Sequence, residues 1–173
     1  MFHQVRLLNE DKSLLRFIWR GMQLDQEPSV YEWQVLPFGT TCSPCCAIYA
    51  VNRHVQDHCN GNEEVLHSVQ QCFYVDNCLQ SFPSSHQAKS LIEKMRPLLA
   101  TGGFDIGQWA SNDPAVIHHL PPDAKSKTSE LWLSGDGDPK ELTLGLQWNC
   151  LTDMLSYKTK SITYPPPPHS VIY

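Results

Sequence analysis

The sequence predicts an α+β fold, and three observations carry that prediction. Segments with helical spacing of apolar residues follow good capping residues. Runs of β-prone residues turn back on short polar connections. The two kinds of segment are interspersed along the chain with no internal repeat. With 173 residues, 41% of them hydrophobic and 10% aromatic, the chain has the length of one domain and enough apolar material for a core.

Residues 14–19 (Leu-Leu-Arg-Phe-Ile-Trp) read as a buried strand, and 22–29 as a polar loop closing at Pro28. Residues 30–36 alternate as a second strand, which Pro37-Phe38-Gly39 breaks. Ser43 is an expected N-cap with Pro44 at the first helical position, and Ala47, Ile48, Val51 and Val55 carry the helix to about His58. Residues 60–64 read as loop. Two β-prone arms, 71–75 and 78–82, flank Asp76-Asn77 and predict a tight hairpin with that pair at its apex.

Ser84 or Ser85 caps a helix carrying Ala88, Leu91, Ile92, Met95, Leu98 and Leu99. Gly102-Gly103 ends it, and 104–110 return as a strand. One or two helical turns fit 114–120. Residues 121–140 read as loop with a short strand at 131–133. A second hairpin joins 142–148 to 155–157 across 149–153. The division expected is a body over 1–158 and a proline-rich tail over 159–173, where Tyr164 and four prolines form an extended, severed linker.

Composition narrows the function. No apolar run approaches twenty residues, which excludes a membrane helix, and no basic segment leads into an apolar one at the N-terminus. Seven cysteines are an odd number without a disulfide framework, so reduced thiols and a soluble, intracellular, cytoplasmic chain are expected. The net charge of -5 counts against a free-standing nucleic-acid binder, whose affinity comes mostly from neutralising phosphates. Cys42-x2-Cys45 with His54-x3-His58 has a zinc-finger look, but the gap between the pairs is short and all four share one expected helix. Cys42-Ser-Pro-Cys45 could also be a redox pair at a helix start, a weaker reading because no thioredoxin-like βαβ context follows. No Gly-x-Ser-x-Gly elbow exists for a hydrolase.

The hairpin with an acidic apex carries the chemistry. Nucleotidyl transfer uses two Mg²⁺ ions held by closely spaced carboxylates, and a tight hairpin presents a turn carboxylate outward while its arms stay anchored. Tyr74-Val75-Asp76-Asn77 has that form with an amide in place of one carboxylate. Its neighbours occur in a specific order: Met1-Phe2-His3-Gln4-Val5, Arg16-Phe17-Ile18-Trp19, Leu36-Pro37-Phe38-Gly39 with Ser43-Pro44, then Gly102-Gly103-Phe104 with Gln108-Trp109, and Leu144-Gly145-Leu146-Gln147-Trp148.

Six ordered blocks over about residues 1–158 resemble the reverse transcriptase of BEL/Pao-type LTR retrotransposons. The resemblance implies a polymerase palm, an antiparallel sheet of about four strands with two helices on one face, truncated at its first strand. It implies Asp76 as the Mg²⁺ ligand, with Asn77 in the place of a second acid. Phe2 stands where an aromatic side chain selects the sugar, Phe38 and Gly39 in the turn lining the nucleotide pocket, and Tyr74 at the head of the metal-binding turn. Gln108 stands where relatives often carry a lysine. The first catalytic acid of the family would fall four positions before Met1. The expectation is therefore a fragment of an RNA-directed DNA polymerase, inactive as this chain, whose partners by resemblance are an RNA/DNA template-primer and dNTPs. The resemblance further implies that the remainder of a Pol polyprotein is missing. The competing expectation is a non-enzymatic interaction module or a retroelement relic.

Overall fold

The computed structural model describes residues 1–135 and 139–157. The polyproline tail and the boundary expected at 158 lie outside the described residues. The fold is mixed helix and strand, as expected. Among the described residues the strands fall into three small antiparallel sheets of two, two and three strands instead of one four-stranded sheet.

A 3-10 turn at Phe2–Gln4 and a short helix α1, Asn9–Lys12, precede the first hairpin. There β1, Arg16–Trp19, pairs with β2, Ser29–Glu32, in the register Phe17↔Tyr31 and Ile18↔Val30. The burial expected for residues 14–19 is overturned: both strands are exposed along their length. The hairpin projects from the core, held at its base by an Arg6↔Val35 bridge and at its edge by the Arg16–Glu32 ion pair at 2.9 Å.

Helix α2, Ser43–His58, runs over the expected span, but Cys42 is its N-cap and Ser43 its first residue. Ser43 does not cap. Its buried hydroxyl donates to the Pro37 carbonyl at 2.6 Å and contacts the Thr40 hydroxyl, which ties the Pro37-Phe38-Gly39 turn to the helix start. Helix α3, Glu63–Gln71, occupies residues expected to be partly loop and partly strand, and it buries Val65, Ser68 and Val69 against the core. The short hairpin of β3, Phe73–Tyr74, and β4, Asn77–Cys78, follows.

Helix α4, Ser85–Thr101, begins as expected: Ser84 is the N-cap and accepts from the Gln87 N–H. It is the spine of the molecule. Leu91, Met95 and Leu99 join Val51, Val55, Val65, Val69 and Phe104 in one core. Ile92, next round the same helix, joins Val116, Ile117, Leu120 and Ala124 in a second. The second core is built by α5, Pro114–Ile117, and the turn at Pro122–Ala124.

Two further expectations fail locally. Residues 104–110 are not a strand, because Gln108 takes a φ of +61° that ends extension and only a Trp109↔Lys125 bridge forms. Residues 131–133 belong to helix α6, Lys127–Leu133, whose start is capped by the Ser126 hydroxyl accepting from the Ser129 N–H at 2.9 Å. The second expected hairpin is present as β6, Leu146–Asn149, with β7, Met154–Tyr157, but its first arm is not one strand over 142–148, because a turn splits off β5, Lys140–Thr143, which pairs with β6. Leu144 and Gly145 make the added turn, both with positive φ as a two-residue type I′ connection requires.

Candidate active site

The β3–β4 register, Phe73↔Cys78 and Tyr74↔Asn77, leaves Val75 and Asp76 as the turn. The apex is therefore Val75-Asp76, not Asp76-Asn77, and Asn77 opens β4. The cause is burial. Half-buried Phe73 packs on the first core and its partner Cys78 is half-buried beside it, whereas a one-residue shift would turn these side chains to the opposite face. Burial, with the neighbouring Cys72, pushes the Cys78 thiol up to about 12, so it stays neutral. Val75 has a φ of +57°, an outlier for a β-branched residue, and such strain is characteristic of functional turns. Asp76 is exposed and accepts one hydrogen bond, from the Asn77 amide at 3.3 Å.

The apex opens on a cleft of about 970 Å³ that gathers four of the sequence blocks: Met1, then Asp76 and Asn77, then Gln108 and Trp109, then Trp148 of β6. Asp76, Asp105, Asp113, Asp123, Glu141 and Asp153 line it, with no Lys or Arg among its described lining. Three of these acids serve the fold. Asp153 accepts from the Trp148 indole at 2.9 Å, Glu141 from Ser126, and Asp113 from Ser85 and the Ala115 N–H. The Ser85 hydroxyl, and then that N–H, hold the Asp113 carboxyl below the usual range. These structural acids had no local sequence signal apart from Asp113 before Pro114, a cap pattern.

Phe2, Phe38, Gly39 and Tyr74 do not line the cleft. The Phe2 and Phe38 rings pack against each other with centroids 4.7 Å apart, and His3 meets Phe38 at 5.0 Å. Gly39 has a φ of +90° and faces open space, so its backbone conformation, not crowding within the chain, calls for glycine. Tyr74 is exposed opposite Asn77. Met1, beside Phe2, reaches the cleft and links the two groups.

The zinc alternative is overturned. Within the continuous helix α2, Cys45 and His54 stand nine residues apart, about 13 Å along the axis. His54 is bonded to the Leu98 carbonyl at 2.8 Å, and His58 to the His54 carbonyl.

Polymerases carry out phosphoryl transfer with two metal ions bound through one or two carboxylates and the substrate phosphates, and an exposed turn carboxylate at a cleft is a group of that kind. The family profile for reverse transcriptase (RNA-dependent DNA polymerase) matches residues 1–108, more than half the chain. The chain belongs to that family, and Phe2, Phe38, Gly39, Tyr74, Asp76, Asn77 and Gln108 all fall within the matched span. No curated protein and no solved structure matches it. Among the described residues no helix is long and apolar enough to cross a membrane.

Proposed function

We propose that this chain is palm sequence from a BEL/Pao-type retrotransposon reverse transcriptase, and that the polypeptide does not by itself extend a primer. The observation that carries this reading is Asp76, exposed at the apex of a two-residue hairpin inside the family match and sharing a cleft with Gln108. By the resemblance Phe2 is the sugar-selecting aromatic, Phe38 and Gly39 belong to the turn lining the nucleotide pocket, and Tyr74 heads the metal-binding turn. Family membership implies a nucleic-acid template and dNTPs as partners.

Reverse transcriptases use Mg²⁺. The apex offers one carboxylate and one neutral amide. Among the described residues no three His, Cys, Asp or Glu side chains come together as a metal-binding group. Two Mg²⁺ ions require near-octahedral oxygen donors and several compensating charges. The donor set does not fit a two-metal centre. Incubation of the purified chain with primed RNA or DNA template, dNTPs and Mg²⁺ or Mn²⁺ should therefore give no extension. Product that grows only when dNTPs are supplied overturns the proposal.

A second reading has its own support. The acid-lined cleft without Lys or Arg, together with a net charge of -5, favours an interaction module without polynucleotide substrate. Titration with an RNA–DNA duplex at low salt separates the two. Salt-sensitive binding supports the polymerase ancestry at the level of activity, and no binding supports the interaction module or relic.

A further inference from the structure

The first turn of α2 holds Cys42 at the N-cap, Cys45 and Cys46, all three exposed. The Cys46 N–H donates to the Cys42 carbonyl at 3.0 Å, so residues 42–46 form one closed helical turn. Of the two neighbouring thiols, Cys42 acts on Cys46 more strongly than Cys45 does. The Cys42 sulfur also lies 3.8 Å from the Thr40 hydroxyl oxygen. Residues four apart on a helix have Cα atoms about 6 Å apart, inside the separation a disulfide spans, but Cβ atoms about 5–6 Å apart against about 3.5–4.5 Å in a bridge, so closure must tighten this first turn. The other four cysteines are buried or half-buried. Burial raises two of them, Cys78 to about 12 and Cys150 to about 11.

We propose that Cys42 and Cys46 form an oxidation-sensitive dithiol that closes to an intrahelical disulfide when a peroxide is the two-electron oxidant. The Cys42 sulfur attacks one peroxide oxygen. A sulfur–oxygen bond forms, the oxygen–oxygen bond breaks, and the departing hydroxide takes the thiol proton as water. The Cys46 sulfur then attacks the Cys42 sulfur, and the sulfur–oxygen bond breaks as the sulfur–sulfur bond forms. The second hydroxide leaves as water with the Cys46 proton. Two thiols and one hydrogen peroxide give one disulfide and two waters. Loss of solvent around Cys46, then the adjacent Cys42, raises the Cys46 thiol, so it is the poorer first nucleophile and suits the resolving role. The disulfide would draw Cys42 from Thr40 and so reach the anchor of the Phe38-Gly39 turn, which Thr40 and Ser43 hold.

The test uses the full chain and does not depend on polymerase chemistry. After a few equivalents of hydrogen peroxide, remaining thiols are counted by maleimide-PEG alkylation in denaturant and intact mass is read on the monomer. The chain has seven thiols and should retain five, with the loss of two hydrogens. C45S should still lose two thiols, whereas C42S and C46S should keep all of theirs. The proposal is overturned if wild type keeps seven, if bridging runs only between chains, or if C46S still loses two through Cys42 and Cys45. All three sites are exposed, so none of these variants removes a core side chain.

Discussion

Replacing Val75 by glycine and, separately, by alanine reads the register of the acidic turn directly. Both variants delete the same apolar contacts beyond Cβ, so their difference isolates the backbone. At a φ of +57°, a Cβ costs about 1–2 kcal/mol. Glycine gives back about 0.5–1 kcal/mol through the greater freedom of its unfolded chain. V75G should therefore be more stable than V75A by about 0.5–1 kcal/mol, about 2 °C in Tm for a chain of this size. At position 77, which lies in β4 with an ordinary backbone, the order reverses: N77A should exceed N77G by a similar amount. Urea and thermal unfolding of the four variants make the comparison. V75A at or above V75G, with N77G above N77A, would place Asp76-Asn77 at the apex and refute the assignment.

Other consequences follow from named contacts. G102A sets a Cβ 2.8–2.9 Å from the His54 ring, which its bond to the Leu98 carbonyl holds in place. The expected cost is about 1–3 kcal/mol, measured by urea unfolding, and adding H54A should relieve most of it. D113A removes an acceptor for Ser85 and the Ala115 N–H. The folded Asp113 carboxyl is lowered, so its contribution is present above the unfolded value near ~3.9 and is lost as pH falls through the folded one. The wild type should exceed D113A at pH 7, and the gap should narrow below about pH 4. A gap that widens on acidification contradicts that sign.

Much of the helical frame was legible because several signals agreed. In α4, the Ser84 cap, the 91-92-95-99 apolar spacing and the double glycine all point to one helix, and it forms there. In α3, only Val65, Leu66 and Val69 mark the buried side, and strong neighbouring loop and strand signals masked it. Residues 131–133 look like a strand in isolation, yet the cap at Ser126 winds them into α6. The metal-turn hairpin was legible and its apex was not. Asp and Asn suit turns, but the register answers to the burial of Phe73 and Cys78, a tertiary fact. Exposure of β1 was equally illegible, since a run of Leu, Phe, Ile and Trp does not state whether anything covers it. Of the site, the sequence order grouped all the blocks together. Only the structure separates them into an aromatic pair at Phe2–Phe38 and a cleft at Asp76 and Gln108.

Helix α4 contributes to both cores, Leu91, Met95 and Leu99 to one and Ile92 to the other. Neither core can melt while the other keeps that helix in place, so a single cooperative transition should govern residues on both sides of position 108. The family match stops there, but the folding unit does not. A polypeptide cut at that point would lose Val116, Ile117, Leu120 and Ala124 from the face of Ile92 and present a bare apolar stripe to water. The portion shared with other reverse transcriptases is thus not a separable module of this chain, and it depends on the segment that follows it for cover.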